Sequence, residues 1–138
     1  MTFRRKTKYG NKRATLSTED GGEIVFDSQM ELTRYLHLIS LLEAGHIRDL
    51  TRQVLFLFES GPLKVKGKSG RTLGYKADFV YWTKGFGDAT HWVKVIEDVK
   101  GFRTPEFNHK WALAKACYPH FHFQCVALKK KEWEVTEW

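Results

Sequence analysis

Only two cysteines, Cys117 and Cys125, occur in 138 residues, and they form no C-x-x-C pair. This excludes a disulfide scaffold and a structural zinc site and fits a reducing compartment. Both thiols are expected to pack as small apolar groups. No apolar run approaches the length of a membrane span, and the first residues lack the apolar core of a signal peptide. The expectation is a soluble, cytoplasmic protein with no membrane partner. Internal repeats and low-complexity blocks are absent as well. Acidic residues are missing from one stretch. Between Met1 and Arg13 stand Arg4, Arg5, Lys6, Lys8, Lys12 and Arg13, with no Asp or Glu, so this stretch holds six of the formal net charge of +7.

The remaining composition is that of a folded globule, 42% hydrophobic and 14% aromatic. A basic balance points to a polyanionic partner, most often nucleic acid. The expected organisation is a basic arm over residues 1–13 and one domain over 14–138. The arm either contacts phosphates or is a solvated terminus.

Hydrophobic patterning places the elements. Residues 14–16 and 23–26 suit a short hairpin around a turn-rich stretch at 19–22. Ser28 opens a helix in which Leu32, Tyr35, Leu36, Ile39 and Leu42 keep helical spacing, and Gly45 ends it. Strands are expected at 53–58, 75–82 and 91–99, with a Gly- and Lys-rich loop over 61–74. Thr104 and Pro105 start a second helix that stops at Pro119. Strands at 121–128 and 133–138 follow. The order helix, three strands, helix, strand predicts a mixed α/β fold, with a central sheet flanked by helices.

The chemistry lies at two strand ends, Tyr75-Lys76-Ala77-Asp78-Phe79 and Ile96-Glu97-Asp98-Val99-Lys100-Gly101. Side chains alternate along a strand, so Asp98 and Lys100 share a face, and Lys76, Asp78 and Val80 share another. With those faces aligned, Asp78, Asp98 and Lys100 converge. Two carboxylates suit a hard divalent cation such as Mg²⁺. A lysine beside them can orient or deprotonate an attacking water, the chemistry of metal-assisted phosphodiester hydrolysis.

This ordered set resembles the PD-(D/E)XK nuclease superfamily. The closest likeness is to a small, phage-associated branch, carried as a domain of unknown function and grouped with Holliday junction resolvases. The residues that carry the likeness are Lys8-Tyr9-Gly10-Asn11-Lys12, Phe26-Asp27-Ser28-Gln29-Met30-Glu31, Gln53, Tyr75 to Val80, Glu97 to Gly101, and Lys110. The resemblance implies a restriction-endonuclease-like fold with an α-β-β-β-α-β core. It implies Asp78, Asp98 and the Val99 carbonyl as metal ligands, Lys100 as the catalytic lysine, and Glu31, matching the acid many members carry on the first helix, as a further catalytic and metal-binding residue. The cofactor implied is Mg²⁺, with Mn²⁺ as a substitute. Ala77 departs from the motif, which has proline before the acid.

Alternatives stand beside several of these residues. Glu31 also completes a capping box with Ser28. A bulge at the strand end would select Glu97 in place of Asp98. Gln53 either supports a carboxylate or closes a strand start. Lys110 contacts phosphate or is solvated. His120 and His122 have strand alternation but no third metal partner nearby. The five tryptophans are expected in the core or an interface, not as base-stacking platforms.

The resemblance implies a Mg²⁺-dependent endodeoxyribonuclease that leaves a 5′-phosphate, with branched DNA, above all a four-way junction, as substrate. Cutting a junction symmetrically takes two sites, hence an expected homodimer. Nicking or restriction-like cleavage of linear duplex, and a non-catalytic DNA-binding module, are the competing expectations; an RNA substrate stays open.

Overall fold

The computed structural model describes residues 2–6, 12–84 and 90–137, with side chains from Arg13 onward. Two compact units divide the chain, Met1–Ala44 and Gly45–Trp138. The expected α/β class holds, with ten strands and two helices among the described residues.

In the first unit, β1 (Thr2–Lys6), β2 (Lys12–Ser17) and β3 (Glu23–Phe26) form an antiparallel sheet in the order β1-β2-β3. The expected hairpin is β2–β3. The stretch read as a basic arm contributes the edge strand β1, whose Thr2 and Phe3 pair with Thr15 and Ala14. Helix α1 (Gln29–Glu43) follows. Its N-cap is Ser28, whose hydroxyl accepts the Glu31 N–H at 3.1 Å. Gly45 lies just past the helix at φ +79°, the left-handed conformation that suits glycine at that position.

The second unit is built on a five-stranded mixed sheet in the order β10-β9-β8-β7-β4. Its strands are β4 (Ile47–Leu57), β7 (Gly74–Thr83), β8 (Val93–Val99), β9 (His122–Lys129) and β10 (Glu132–Glu137). Only β8 and β9 are parallel. Helix α2 (Pro105–Cys117) makes the crossover between them, as parallel pairing requires. Thr104 caps α2, accepting the Phe107 N–H at 3.1 Å.

The 61–74 stretch is more ordered than the loop expected from its composition. β5 (Glu59–Ser60) and β6 (Leu63–Lys64) pair, and a bridge joins Lys66 to Thr72. Main-chain bonds from Phe58 to Leu73, Val65 to Phe58 and Leu73 to Val65 tie it down at 2.8–2.9 Å. Where it returns at Gly74, a Cβ would meet the Phe56 carbonyl at 2.8 Å, so only glycine fits.

The core of this unit lies between the sheet and α2. Phe107, Trp111 and Ala114 of α2 meet Phe56, Tyr75, Ala77, Val80, Ile96, Phe123 and Cys125. Tyr75, Trp111 and Phe123 form edge-on ring contacts at 5.3–5.5 Å. No helix among the described residues is long and apolar enough to cross a membrane.

Candidate active site

The two motif strands meet where their ladder ends. β7 and β8 pair from Thr83↔Val93 to Phe79↔Glu97, and no further. On its other side β7 pairs with β4 at Arg52↔Phe79 and Val54↔Ala77, which puts Gln53 opposite Asp78. Gln53 has φ +53°, a left-handed conformation uncommon for a residue other than glycine. Strict alternation fails at the same place. Tyr75 and Ala77 belong to the core under α2, and so does Val80, whereas Lys76 is exposed. The expectation that Lys76, Asp78 and Val80 share one face is therefore corrected: the faces change over around Asp78, while the register with β4 runs on unshifted there.

The changeover lets the Asp78 carboxylate reach the neighbouring strand. Its Oδ2 accepts the Val99 N–H at 2.9 Å. The acid thus occupies a donor that a continuous β7–β8 ladder would leave to a carbonyl. Val99 is at the same time aligned with Val126 of β9, and the Lys100 N–H reaches the Val126 carbonyl at 3.0 Å. This holds β8 straight while β7 departs.

Asp98 and Lys100 share the α2 face, as alternation requires. Lys100 Nζ lies 3.1 Å from Asp98 Oδ1 and 5.0 Å from the Phe107 ring centre. Asp98 is only 2% exposed, and the Lys100 side chain 34%. The Tyr75 hydroxyl donates to Asp98 Oδ2. Oδ1 is buried and makes no hydrogen bond of good geometry, so its contact with the ammonium is an ion pair at a poor angle. Burial first, and the Asp98 charge second, push the Tyr75 hydroxyl far above its ordinary range and keep it a proton donor. Asp78 adds to that rise, which puts its charge in the same field. The same two effects, burial ahead of Asp98, raise the Cys125 thiol to about 12.

Glu97 goes to the other face. It is fully buried, accepts the Tyr81 hydroxyl at 2.7 Å and accepts from Gln124 Nε2 at 2.9 Å. The geometry thus pairs Asp98, not Glu97, with Lys100.

Glu31 lies in the first unit, buried at the start of α1 with its backbone held by Ser28. Gln53 is exposed on β4 opposite Asp78. Lys110 is on the exposed side of α2, paired with Glu106 at 3.2 Å. Arg4, Arg5, Lys6 and Lys12 are placed by backbone only; Arg13 is exposed, and Lys8 lies outside the described residues. His122 pairs with Glu137 at 3.2 Å. Tyr75 is the residue that sequence reasoning missed. Its signal was available: it stands three before Asp78, on the face alternation assigns to the core.

The donor set suits a hard cation. Asp78 and Asp98 offer carboxylate oxygens on adjacent strands, and Val99, next to Asp98 in the chain, donates its N–H to Asp78. Asp98 Oδ1 is a buried anion without a good hydrogen bond. Among the described residues no group of three or more His, Cys, Asp and Glu could hold a metal ion. The pair matches the one or two carboxylates by which Mg²⁺ is usually held, with water and phosphate completing its shell.

No curated protein and no solved structure matches the chain. A family model does match, over residues 6–132, a span that takes in both strand-end motifs, the lysine and both helices. The chain belongs to the family described as "Protein of unknown function (DUF1064)".

Proposed function

We propose that this protein is a Mg²⁺-dependent endodeoxyribonuclease selective for branched DNA, acting as a Holliday junction resolvase in the cytoplasm. One observation carries the reading: the buried Asp98–Lys100 ion pair at 3.1 Å, beside an Asp78 that is tied to the amide of the intervening Val99. An ordinary strand end has no use for a buried carboxylate, an ammonium and a second acid at a break in the ladder.

Asp78 and Asp98, with the Val99 carbonyl, would hold the cation. A divalent ion there supplies Lewis-acid stabilisation of the charge that builds on the phosphate. Asp98 is oriented by the Tyr75 hydroxyl, and Asp78 by the Val99 amide; both are set before substrate arrives. Lys100 pairs with Asp98 at 3.1 Å, and its side chain is one-third exposed, within reach of a substrate phosphate. Its ammonium faces the phosphate, where it positions the attacking water and offsets negative charge. Water attacks phosphorus, the 3′ oxygen leaves, and the product carries a 5′-phosphate.

Basic surface supplies the grip. Lys64, Lys66, Lys68 and Arg71 sit on the tied-down 61–74 segment, which has no acid. Contacts of this kind fix position on the duplex without reading sequence. Two sites are needed to cut a junction symmetrically, so the working species is a homodimer.

The test is cleavage of a labelled four-way junction and a matched linear duplex, with Mg²⁺ or EDTA, by wild type and Asp98→Ala. Junction cutting that requires Mg²⁺ and disappears in the variant supports the reading. Equal cutting of both substrates keeps the nuclease and removes the junction preference. Tight DNA binding with no cutting in Mg²⁺ or Mn²⁺ leaves a DNA-binding module.

A further inference from the structure

The short segment between Lys100 and α2 has a role that cleavage chemistry does not use. Phe102 stands there at 80% exposure, the most exposed large apolar side chain among the described residues. It contributes nothing to the core. A single exposed apolar residue is ordinary on a surface, but its neighbours are not: Lys100 precedes it by two positions and Arg103 follows it.

Arg103 lines a cavity of about 190 Å³ together with Lys100, Gly101, Cys125, Lys129 and Thr136. That is several times the ~30 Å³ a water occupies in the liquid. Glu134 lines the cavity too, and its charge is paired with Lys129 at 3.2 Å. Arg103 shares the cavity with Lys100 and is near enough to Cys125 that its charge works against the rise of the thiol. A guanidinium presents a planar fork of donors, which matches phosphate oxygens. One phosphate held there leaves the attached nucleotide beside Phe102.

We propose that the Gly101–Arg103 segment holds the nucleotide next to the cut: Arg103 takes its phosphate in this cavity, and Phe102 stacks on its base. This rests on the nuclease reading and sharpens it. A base inside a continuous duplex has both faces covered by its neighbours. A phenyl ring stacks at no unstacking cost on a base with an open face, as at a branch point, a gap or a frayed end, whereas inserting it into a continuous duplex must first unstack a base step. The segment therefore selects DNA that is unpaired or easily unstacked beside the scissile phosphate. The same ring would serve a protein partner only if it sat on an apolar patch, and its flanking cations favour a polyanion.

The experiment uses Asp98→Asn protein, which leaves the DNA intact, and four-way junctions carrying 5-iodouracil at successive positions around the branch. Irradiation should cross-link one or two positions beside the scissile phosphate to Phe102, identified by mass spectrometry. Phe102→Ala should abolish that cross-link and weaken junction binding roughly tenfold, while Phe102→Tyr retains both. Arg103→Ala should weaken binding and lower the slope of log K against log salt by about one. Cross-linking that persists in Phe102→Ala, or a junction bound with no cross-link at Phe102, overturns the proposal and leaves the nuclease in place. So does a Phe102→Ala change confined to self-association. A parent protein that neither binds nor cuts any DNA overturns the nuclease reading and this one with it.

Discussion

Two carboxylates adjacent in the chain, Glu97 and Asp98, serve the two faces of one sheet. Each accepts a hydrogen bond from a buried tyrosine, Tyr81 for Glu97 and Tyr75 for Asp98. Their third groups differ. Gln124, an amide, donates to Glu97 and also to the Tyr81 hydroxyl, which closes a triangle of hydrogen bonds inside the protein. Lys100 stands against Asp98, and its side chain is one-third exposed. One network is closed by a neutral amide, the other by a charge that reaches water. A closed network specifies packing. An ion pair at the surface end of a buried acid can be exchanged for another cation. The comparison separates an acid enclosed by neutral partners from the acid to which the proposed function gives the cation.

Substitutions at the two acids provide the sharpest break. Asp98→Asn should lower cleavage at least ~10³-fold while the protein stays folded, because the side chain keeps its shape and loses the charge that holds the cation. Glu97→Gln should keep activity per folded molecule within about threefold and cost about 1–3 kcal/mol of stability, since both donors of its triangle, Tyr81 and Gln124, lose a charged acceptor. Denaturant unfolding and single-turnover cleavage read the two effects separately. Reversal of the pattern would exchange the roles assigned to the two faces.

Lys100→Met should lower cleavage about 10²–10⁴-fold, the usual range for a positioned proton-transfer or charge-neutralising group. It should also destabilise the metal-free protein, because Asp98 is left buried without its cation. Adding Mg²⁺ should recover part of that stability, measured as a rise in Tm. A fall in activity with no Mg²⁺-dependent recovery would separate Lys100 from the cation site.

The tyrosines offer a subtler contrast. Tyr81→Phe should cost about 1–2 kcal/mol with cleavage unchanged. Tyr75→Phe should cost a similar amount and in addition weaken Mg²⁺ activation about 10–100-fold, because Asp98 loses the donor that orients it. The Mg²⁺ dependence of cleavage distinguishes them.

The smallest effect concerns pH. The folded Cys125 thiol is raised from 9.0 to about 12. A raised folded value adds stability that is complete below pH 9 and is lost as pH climbs from 9 towards 12, since the unfolded thiol ionises first. Cys125→Ser should flatten this alkaline decline in chemical denaturation. At pH 8 a thiol reagent should label the half-buried Cys117 and spare Cys125 until the protein unfolds.

Much of this architecture is legible in the chain. Ser28 and Thr104 announce both helices, because a hydroxyl that caps an N–H acts within three residues. Alternation alone puts Asp98 and Lys100 on one face and Glu97 on the other, and the structure agrees. Alternation misleads at Asp78, where a long-range event intervenes: Gln53, on a strand twenty-five positions earlier, adopts φ +53° opposite it. Lys110 shows the limit of helical spacing. The spacing relates it to Phe107 but does not say which side of α2 meets the sheet, and the residue pairs with Glu106 on the solvent side.

Local chemistry therefore settled both helices and where they start, the main strands of the larger sheet but not β1, β5 or β6, and that two acids and a lysine lie towards the ends of two strands. These depend on neighbours a few residues apart. The break in the β7–β8 ladder, the reach of Asp78 to the Val99 amide, and the choice of Tyr75 and Tyr81 as partners for opposite acids arose only in the folded sheet. Register between strands is set by the pairing of distant segments and by which face α2 covers, and no local pattern encodes either.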